Sequence, residues 1–258
     1  MKKLSNFYKI SQISEELKDC LRKLRLIKLA DGRFDVIGNV DFASLRLNSL
    51  LEIPIRIRRV TGNFYCYYNQ LTSLEGAPER VDGGFYCYYN NLTTLEGAPK
   101  FVGESFCCYG NQLTTLNGAP ERIDGDFWCH NNQLTTLKGA PKYVGRDFWC
   151  SPNKLTTLEG APKYIGGDFW CNNNQLTSLN GAPKFVGGSF YCYKNNLTTL
   201  EGAPERVDRN FNCSWNNLTT LNGAPKHVGR DFDCSDNSKH FTKEEVRKLV
   251  DVKGKVFV

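Results

Sequence analysis

Residues 169–189 read F-W-C-N-N-N-Q-L-T-S-L-N-G-A-P-K-F-V-G-G-S, and Phe190 begins the same phrase again. Followed outward in both directions, the phrase restarts at Phe64, Phe85, Phe106, Phe127, Phe148, Phe169, Phe190, Phe211 and Phe232, a strict 21-residue period. A fixed period of this length marks stacked units, each of which buries its apolar face only against its neighbours. Phe and Cys stand two apart and so share one side of a short strand, the side that faces the interior of a parallel stack. Asn follows where the strand turns away, and its amide can satisfy backbone groups and ladder with its neighbours. Two leucines, Leu71 and Leu74 in the first full copy, then fill the interior. Gly-Ala-Pro (Gly76-Ala77-Pro78 and seven more copies) forbids a long helix on the way back. Val81 and its equivalents bury the return segment.

The fold class predicted is a solenoid of about ten short-strand coils in one parallel sheet with an irregular return side. Ten coils at about 4.8 Å give a rod roughly 48 Å long. A degenerate first copy is placed at Ala43, with Leu45 in the Cys slot, Asn48 in the Asn slot, and Leu50 and Ile53 as the two leucines. Open solenoid ends expose core and sheet edge, so caps are expected over 1–42 and 238–258, with the solenoid over 43–237. In the first, Ile10, Ile13, Leu17, Leu21 and Leu24 keep helical spacing, and Asp31-Gly32 sits between alternating apolar residues as a hairpin turn. In the second, Thr242-Lys243-Glu244-Glu245 opens a short helix with a capping box, and KVFV reads as a last strand.

The pattern F-x-C-x-x-N-x-L-x-x-L resembles the leucine-rich repeat, with Phe and Cys in place of its strand leucines. FDVIGNVDF, Ile53-Pro54, LTSLEGAPERV and the closing FTKEEVRKLVDVKGKVFV resemble leucine-rich-repeat proteins encoded by bacteriophages. That resemblance covers the chain from about residue 31 and implies a binding protein aimed at a host factor or an antiviral-defence protein. It implies no common activity.

Enzyme signals are nearly absent, so no catalytic residue, metal or cofactor is expected. His130, His227 and His240 lie far apart in the repeat count, and no phosphate-binding loop, nucleophile elbow or zinc-protease motif occurs. Nine of the eleven cysteines fall on the period, from Cys66 to Cys234, without CxxC pairs. They read as a buried column of small hydrophobes, with Cys107 the outward-facing exception. Asn-Leu-Thr at Asn91, Asn196 and Asn217 matches a glycosylation acceptor but reads as repeat Asn plus core Leu. The opening MKKLSNFYKISQISEEL has no apolar run, and no stretch is long and apolar enough to span a bilayer; a cytoplasmic chain with no membrane partner is expected. The net charge of +6 permits nucleic-acid binding without arguing for it.

The informative columns point away from the core. Between Phe and Cys stand Tyr65, Tyr86, Cys107, Trp128, Trp149, Trp170, Tyr191, Asn212 and Asp233. After Cys come Tyr67, Tyr88, Tyr109, His130, Ser151, Asn172, Tyr193, Ser214 and Ser235. A contiguous aromatic patch on a repeat face marks an interaction surface, because Tyr and Trp dominate binding hot spots. The site expected comprises the aromatics from Tyr65 to Tyr193 with His130, bordered by Asp126, Asp147 and Asp168. Carboxylates on this face, and cations such as Lys142, Lys163 and Lys184 on the return side, separate the stacking groups from the positive charge a nucleic acid wants. A protein partner is therefore expected, with a nucleic acid as the alternative and a carbohydrate as a further one. The sequence leaves the oligomeric state open.

Overall fold

In a computed structural model, described over residues 13–258, the repeats stack into a parallel β-solenoid of the leucine-rich-repeat kind. Each period contributes one two-residue strand at its Phe, and these strands pair in register, Phe127 with Phe148 and Phe148 with Phe169. Eleven strands form this front sheet. A second, twelve-stranded sheet lies opposite, built from the return segments, with Val81 beside Val102 and Val144 beside Ile165. The return side is therefore a regular ladder where an irregular path was expected. Its strands, such as Tyr143–Val144, are two residues long, too short to show alternation in the sequence.

The interior holds the Phe, Cys, Leu, Leu and Val columns. Phe148, Cys150, Leu155, Leu158 and Ile165 are each 0 % exposed. Burying a side chain of this size stabilises the fold by about 1.5–3 kcal/mol, so the columns dominate the folding energy. The cysteines are free thiols and buried along the whole column. Several, including Cys150 and Cys171, donate S–H to the carbonyl of the next coil.

The asparagines close the turn. Asn132 accepts from the Leu113 amide at 2.9 Å and donates to the carbonyls of Cys108 and Cys129 at 3.2 and 3.1 Å. Asn153 repeats this one coil on, with Leu134 as donor and Cys129 and Cys150 as acceptors. Each cysteine carbonyl between two such residues is thus shared. The Gly of Gly-Ala-Pro has positive φ in all copies, and at Gly118 a Cβ would run into the Leu95 carbonyl, so a side chain is excluded twice over.

The first coil is framed differently from the expectation. Val40 pairs with Phe64, Phe42 is buried in the Cys slot, and Leu47 and Leu50 take the leucine slots. Its Asn slot falls on Leu45, and the offset to the next coil is longer by three residues. Small Val followed by large Phe fills the volume that Phe followed by Cys fills elsewhere, which disguises the frame.

At the N-terminal end, α1 (Glu15–Arg22) is capped by Ser14 and precedes an antiparallel hairpin, β1 (Arg25–Lys28) and β2 (Phe34–Ile37). Ile10, expected on the helix, lies outside the described residues. β2 then pairs with β4 (Ile57–Val60), past β3 (Val40–Asp41) in the other sheet. At the C-terminal end, α2 (Lys243–Leu249) carries the Thr242–Glu245 capping box and buries Val246. Asp251–Val252 and Val256–Phe257 then extend the two sheets. No helix among the described residues is long and apolar enough to cross a membrane.

Candidate protein-binding surface

Rings that repeat every coil are brought about 4.8 Å apart by the strand spacing, close enough to stack. Tyr67, Tyr88, Tyr109 and His130 do so at 4.5, 4.6 and 4.4 Å, with planes 4–7° apart. The next residue in that column is Ser151, which is too small to continue. The Trp149 indole leans into the gap, donates Nε1–H to Ser151 Oγ at 3.1 Å and covers His130 at 4.4 Å. Trp170 follows, tilted by 36° at 5.9 Å, and Tyr191 stacks on it at 3.9 Å. The two columns read from the sequence thus merge into one spine of rings, roughly 29 Å long at the strand spacing. Tyr65 and Tyr86 stack beside it at 5.0 Å, Trp128 meets Trp149 edge-on, and Tyr193 stands edge-on to Tyr191.

Stacking uses up ring faces. Within the spine each interior ring has a ring on both sides, so its edge and polar tip are what solvent meets, while Tyr67 and Tyr191 at the ends each stack on one neighbour. Burial pushes the Tyr86 hydroxyl up to about 12, and also raises Tyr88 and Tyr109, so these tips stay protonated donors. His130 is only 9 % exposed, its Nδ1 has no partner among the described residues, and desolvation pulls it from 6.5 down to about 4. It is a neutral member of the stack at physiological pH. Trp128 Nε1 is likewise buried without a partner among the described residues.

Two expectations need correction. Cys107 lies in the outward column but is 1 % exposed, in register between Tyr86 and Trp128, and burial pushes its thiol up to about 12. Asp126, Asp147 and Asp168 do border the spine, but their carboxylates are engaged along the stack. Asp126 accepts from the Asp147 amide at 3.1 Å, Asp147 from the Asp168 amide at 2.8 Å, and Asp168 from the Ser189 amide at 2.7 Å. Asn63, Ser105 and Asn210 do the same on other coils. Burial and the neighbouring carboxylates raise Asp147. The column is first a backbone ladder, and any contact it makes uses its remaining oxygens.

Three outward rings that lie outside the expected site are more exposed than any ring within it. Tyr68, Tyr89 and Trp215 are 55, 43 and 57 % exposed and have positive φ. Their column also holds Gly110, Asn131, Asn173 and Asp236, residue types that tolerate the left-handed region, and that composition was the available signal. A ring forced into this geometry protrudes at the corner. Tyr68 and Tyr89 stack at 4.9 Å, and the Tyr89 ring lies over Gly110. Beyond Tyr193 the face turns polar, through Asn212, Ser214, Asp233 and Ser235, with Trp215 an exposed ring among them.

An open groove of about 770 Å³ lies at the N-terminal end, lined by Leu21, Leu26, Phe34, Ile53 and basic residues. Its lining includes no carboxylate, imidazole or thiol.

No family model and no curated relative matches the chain. Among solved structures, YopM from Yersinia enterocolitica WA-314 is similar, with a TM-score of 0.51 and 24 % identity over 77 % of this chain and 47 % of that one. YopM from Yersinia pestis, a leucine-rich effector protein, gives 0.50 and 21 % over 77 % of this chain and 60 % of that one. The chain therefore spans less than two thirds of either neighbour, and the likeness is one of fold.

Proposed function

We propose that the chain is a non-enzymatic scaffold that binds a protein through its front face, from Tyr65 to Tyr193, with Tyr68 and Tyr89 as its projecting rim. The observation that carries this is the stacked spine. A nucleobase or a sugar ring needs an open aromatic face, and between Tyr67 and Tyr191 the faces are taken by neighbouring rings. Ring edges and phenol hydroxyls remain, which suit the mixed apolar and hydrogen-bonding surface of a protein. The bordering carboxylates repel phosphate, and the lysine columns lie on the opposite sheet, leaving Lys194 and the Arg146 and Arg209 beside the carboxylates as the cations nearest this face. The finer reading is a phage-encoded inhibitor or sequestering factor for a host or antiviral-defence protein, acting in the host cytoplasm. It rests on the resemblance of FDVIGNVDF and the closing segment to phage-encoded repeat proteins, and on two structural neighbours that carry the name of an effector.

Photo-crosslinking tests the site. A benzophenone amino acid replaces Tyr68, Tyr89 or Trp149 on the front, or Tyr164 on the return sheet. Front positions are expected to trap one and the same protein, and Tyr164 not to trap that protein. Adducts confined to Tyr164 would move the site to the other sheet.

A further inference from the structure

The return sheet carries its own charge pattern. Its segments are of two kinds, E-R-[VI]-D and K-[FYH]-[VI]-G. The first pairs internally, Arg122 with Asp124 at 2.7 Å and Arg206 with Asp208 at 2.7 Å, which leaves its Glu over. The second carries one Lys and no acid. Where the kinds alternate, that Glu and Lys meet across coils: Glu121 binds Lys142 at 2.8 Å, and Glu205 lies 3.5 Å from Lys184 and 3.6 Å from Lys226. The alternation breaks once, at mid-rod, where three Lys coils follow one another. Lys163, between Lys142 and Lys184, has no carboxylate within ion-pair distance among the described residues. Beside the lysines run Tyr143, Tyr164 and Phe185, with Tyr164 40 % exposed.

We infer that this lysine row, whose central Lys163 has no acid of its own while Lys142 and Lys184 are paired only at exposed positions, is with its aromatic border a second docking surface, for an acidic amphipathic helix lying along the rod axis. Step length selects the helix. Acidic side chains three or four residues apart on a helix stand about 5–6 Å from one another, against about 4.8 Å between coils, so over three lysines the mismatch is about 1 Å. An extended strand presents one face every ~6.8 Å and would be about 4 Å out of step by the third lysine. The border does not offer a nucleic acid its platform: Tyr143 and Tyr164 stack on each other at 4.8 Å, and the Arg122 guanidinium covers the outer face of Tyr143 at 3.9 Å. The helix would set its carboxylates on the lysines and its apolar stripe on Tyr164 and Phe185. This surface is independent of the front face and leaves it free.

The test is fluorescence anisotropy of the full-length chain with a lactam-stapled peptide carrying Glu at i, i+4 and i+7 and leucines on the adjoining stripe. Its Gln counterpart, a sequence-scrambled version and a single-stranded oligothymidylate serve as comparators. The Glu peptide is expected to bind tightest, and its affinity to fall with salt. Lys163→Glu is expected to weaken it about two- to fivefold, the scale of one exposed ion pair, and the Lys142, Lys163, Lys184 triple reversal at least about tenfold. Lys226→Glu, outside the row, and Trp149→Ala, on the other sheet, are expected to leave it within about twofold, the first as a control for net charge. Unchanged circular dichroism confirms that the variants fold. Equal binding of the Glu, Gln and scrambled peptides, an unchanged triple variant, or tighter binding of the oligothymidylate would each overturn the inference.

Discussion

The shared asparagine ladder makes a prediction about coupling that can be worked from its hydrogen bonds. Replacing Asn132 by Ala removes the acceptor of the Leu113 amide, which has no other partner among the described residues and sits in the interior. Its two main carbonyl partners fare better: Cys108 O keeps Asn111 Nδ2 at 2.9 Å, and Cys129 O keeps Asn153 Nδ2 at 3.0 Å. One orphaned buried donor costs about 1–3 kcal/mol, so Asn132→Ala is expected to cost about 2–3 kcal/mol once a small cavity is added. Asn153→Ala orphans the Leu134 amide and is expected to cost the same. Together they also strip Cys129 O of both partners, a loss that neither single change makes. The double variant should therefore exceed the sum of the singles by about 1–2 kcal/mol. Asn90 and Asn195 share no carbonyl, and their double variant should be additive within about 0.5 kcal/mol. Urea titration gives the two cycles, and amide hydrogen exchange at Leu113 reads the local opening directly. If the adjacent pair proves as additive as the distant one, or Leu113 keeps its protection in Asn132→Ala, the ladder is not what holds the turn.

The thiols offer a second check: only Cys20, part-exposed on α1, is expected to react in the native protein, with Cys107 and the column silent until denaturant releases all eleven. Phe148→Ala, at 0 % exposure, is expected to cost about 3–5 kcal/mol of stability, and Trp149→Ala, at 36 %, less than half of that; equal costs would make Trp149 a core residue and weaken its role in binding. His130 titrates at about 4 in the fold and near 6.5 once unfolded, so between those values the unfolded chain holds more protons. Stability should fall by about 2–3 kcal/mol as the pH drops through that window. His130→Phe keeps the stack and should remove that part of the slope, other groups such as Asp147 being common to both chains. Deleting 238–258 uncovers the last coil, and aggregation or fraying is expected; an unchanged melting temperature in a monomeric truncation would deny those residues a capping role.

Much of the fold could be read from the sequence because a solenoid states each constraint eight or nine times over. Phe148, Cys150, Asn153 and Leu155 recur in identical slots, and any slot so uniform has one physical demand. What could not be read were features shorter than a pattern or specific to one coil. The return strands consist of a single buried Val or Ile and one neighbour, so no alternation betrays the second sheet. The first coil hides its frame by exchanging the sizes of Val40 and Phe42. Cys107 is shielded by the register of Tyr86 and Trp128, which no single repeat reveals. Asp126, Asp147 and Asp168 looked like ligand-facing charge, yet their column also holds Ser105, Asn63 and Asn210. The property common to all of these is an acceptor for the next coil's amide, and net charge is incidental to it.

The same repetition that builds an aromatic face also restricts what that face can hold. Rings placed in register at the strand spacing stack on each other before any ligand arrives, so a regular column offers edges and keeps its faces. Variation between coils is where recognition can enter. Ser151 lets Trp149 cross between columns, Gly110 makes room for the Tyr89 ring, and positive φ thrusts Tyr68 and Tyr89 out from the sheet. All of these departures lie among coils whose Phe, Cys and Leu slots never change. Departures that leave the core untouched add nothing to its packing, and most of them lie between Tyr65 and Tyr193, while the coils after Tyr193 turn to Asn, Ser and Asp with Trp215 an exception. On the proposed reading, a partner would recognise this surface by the shape of its N-terminal and middle coils.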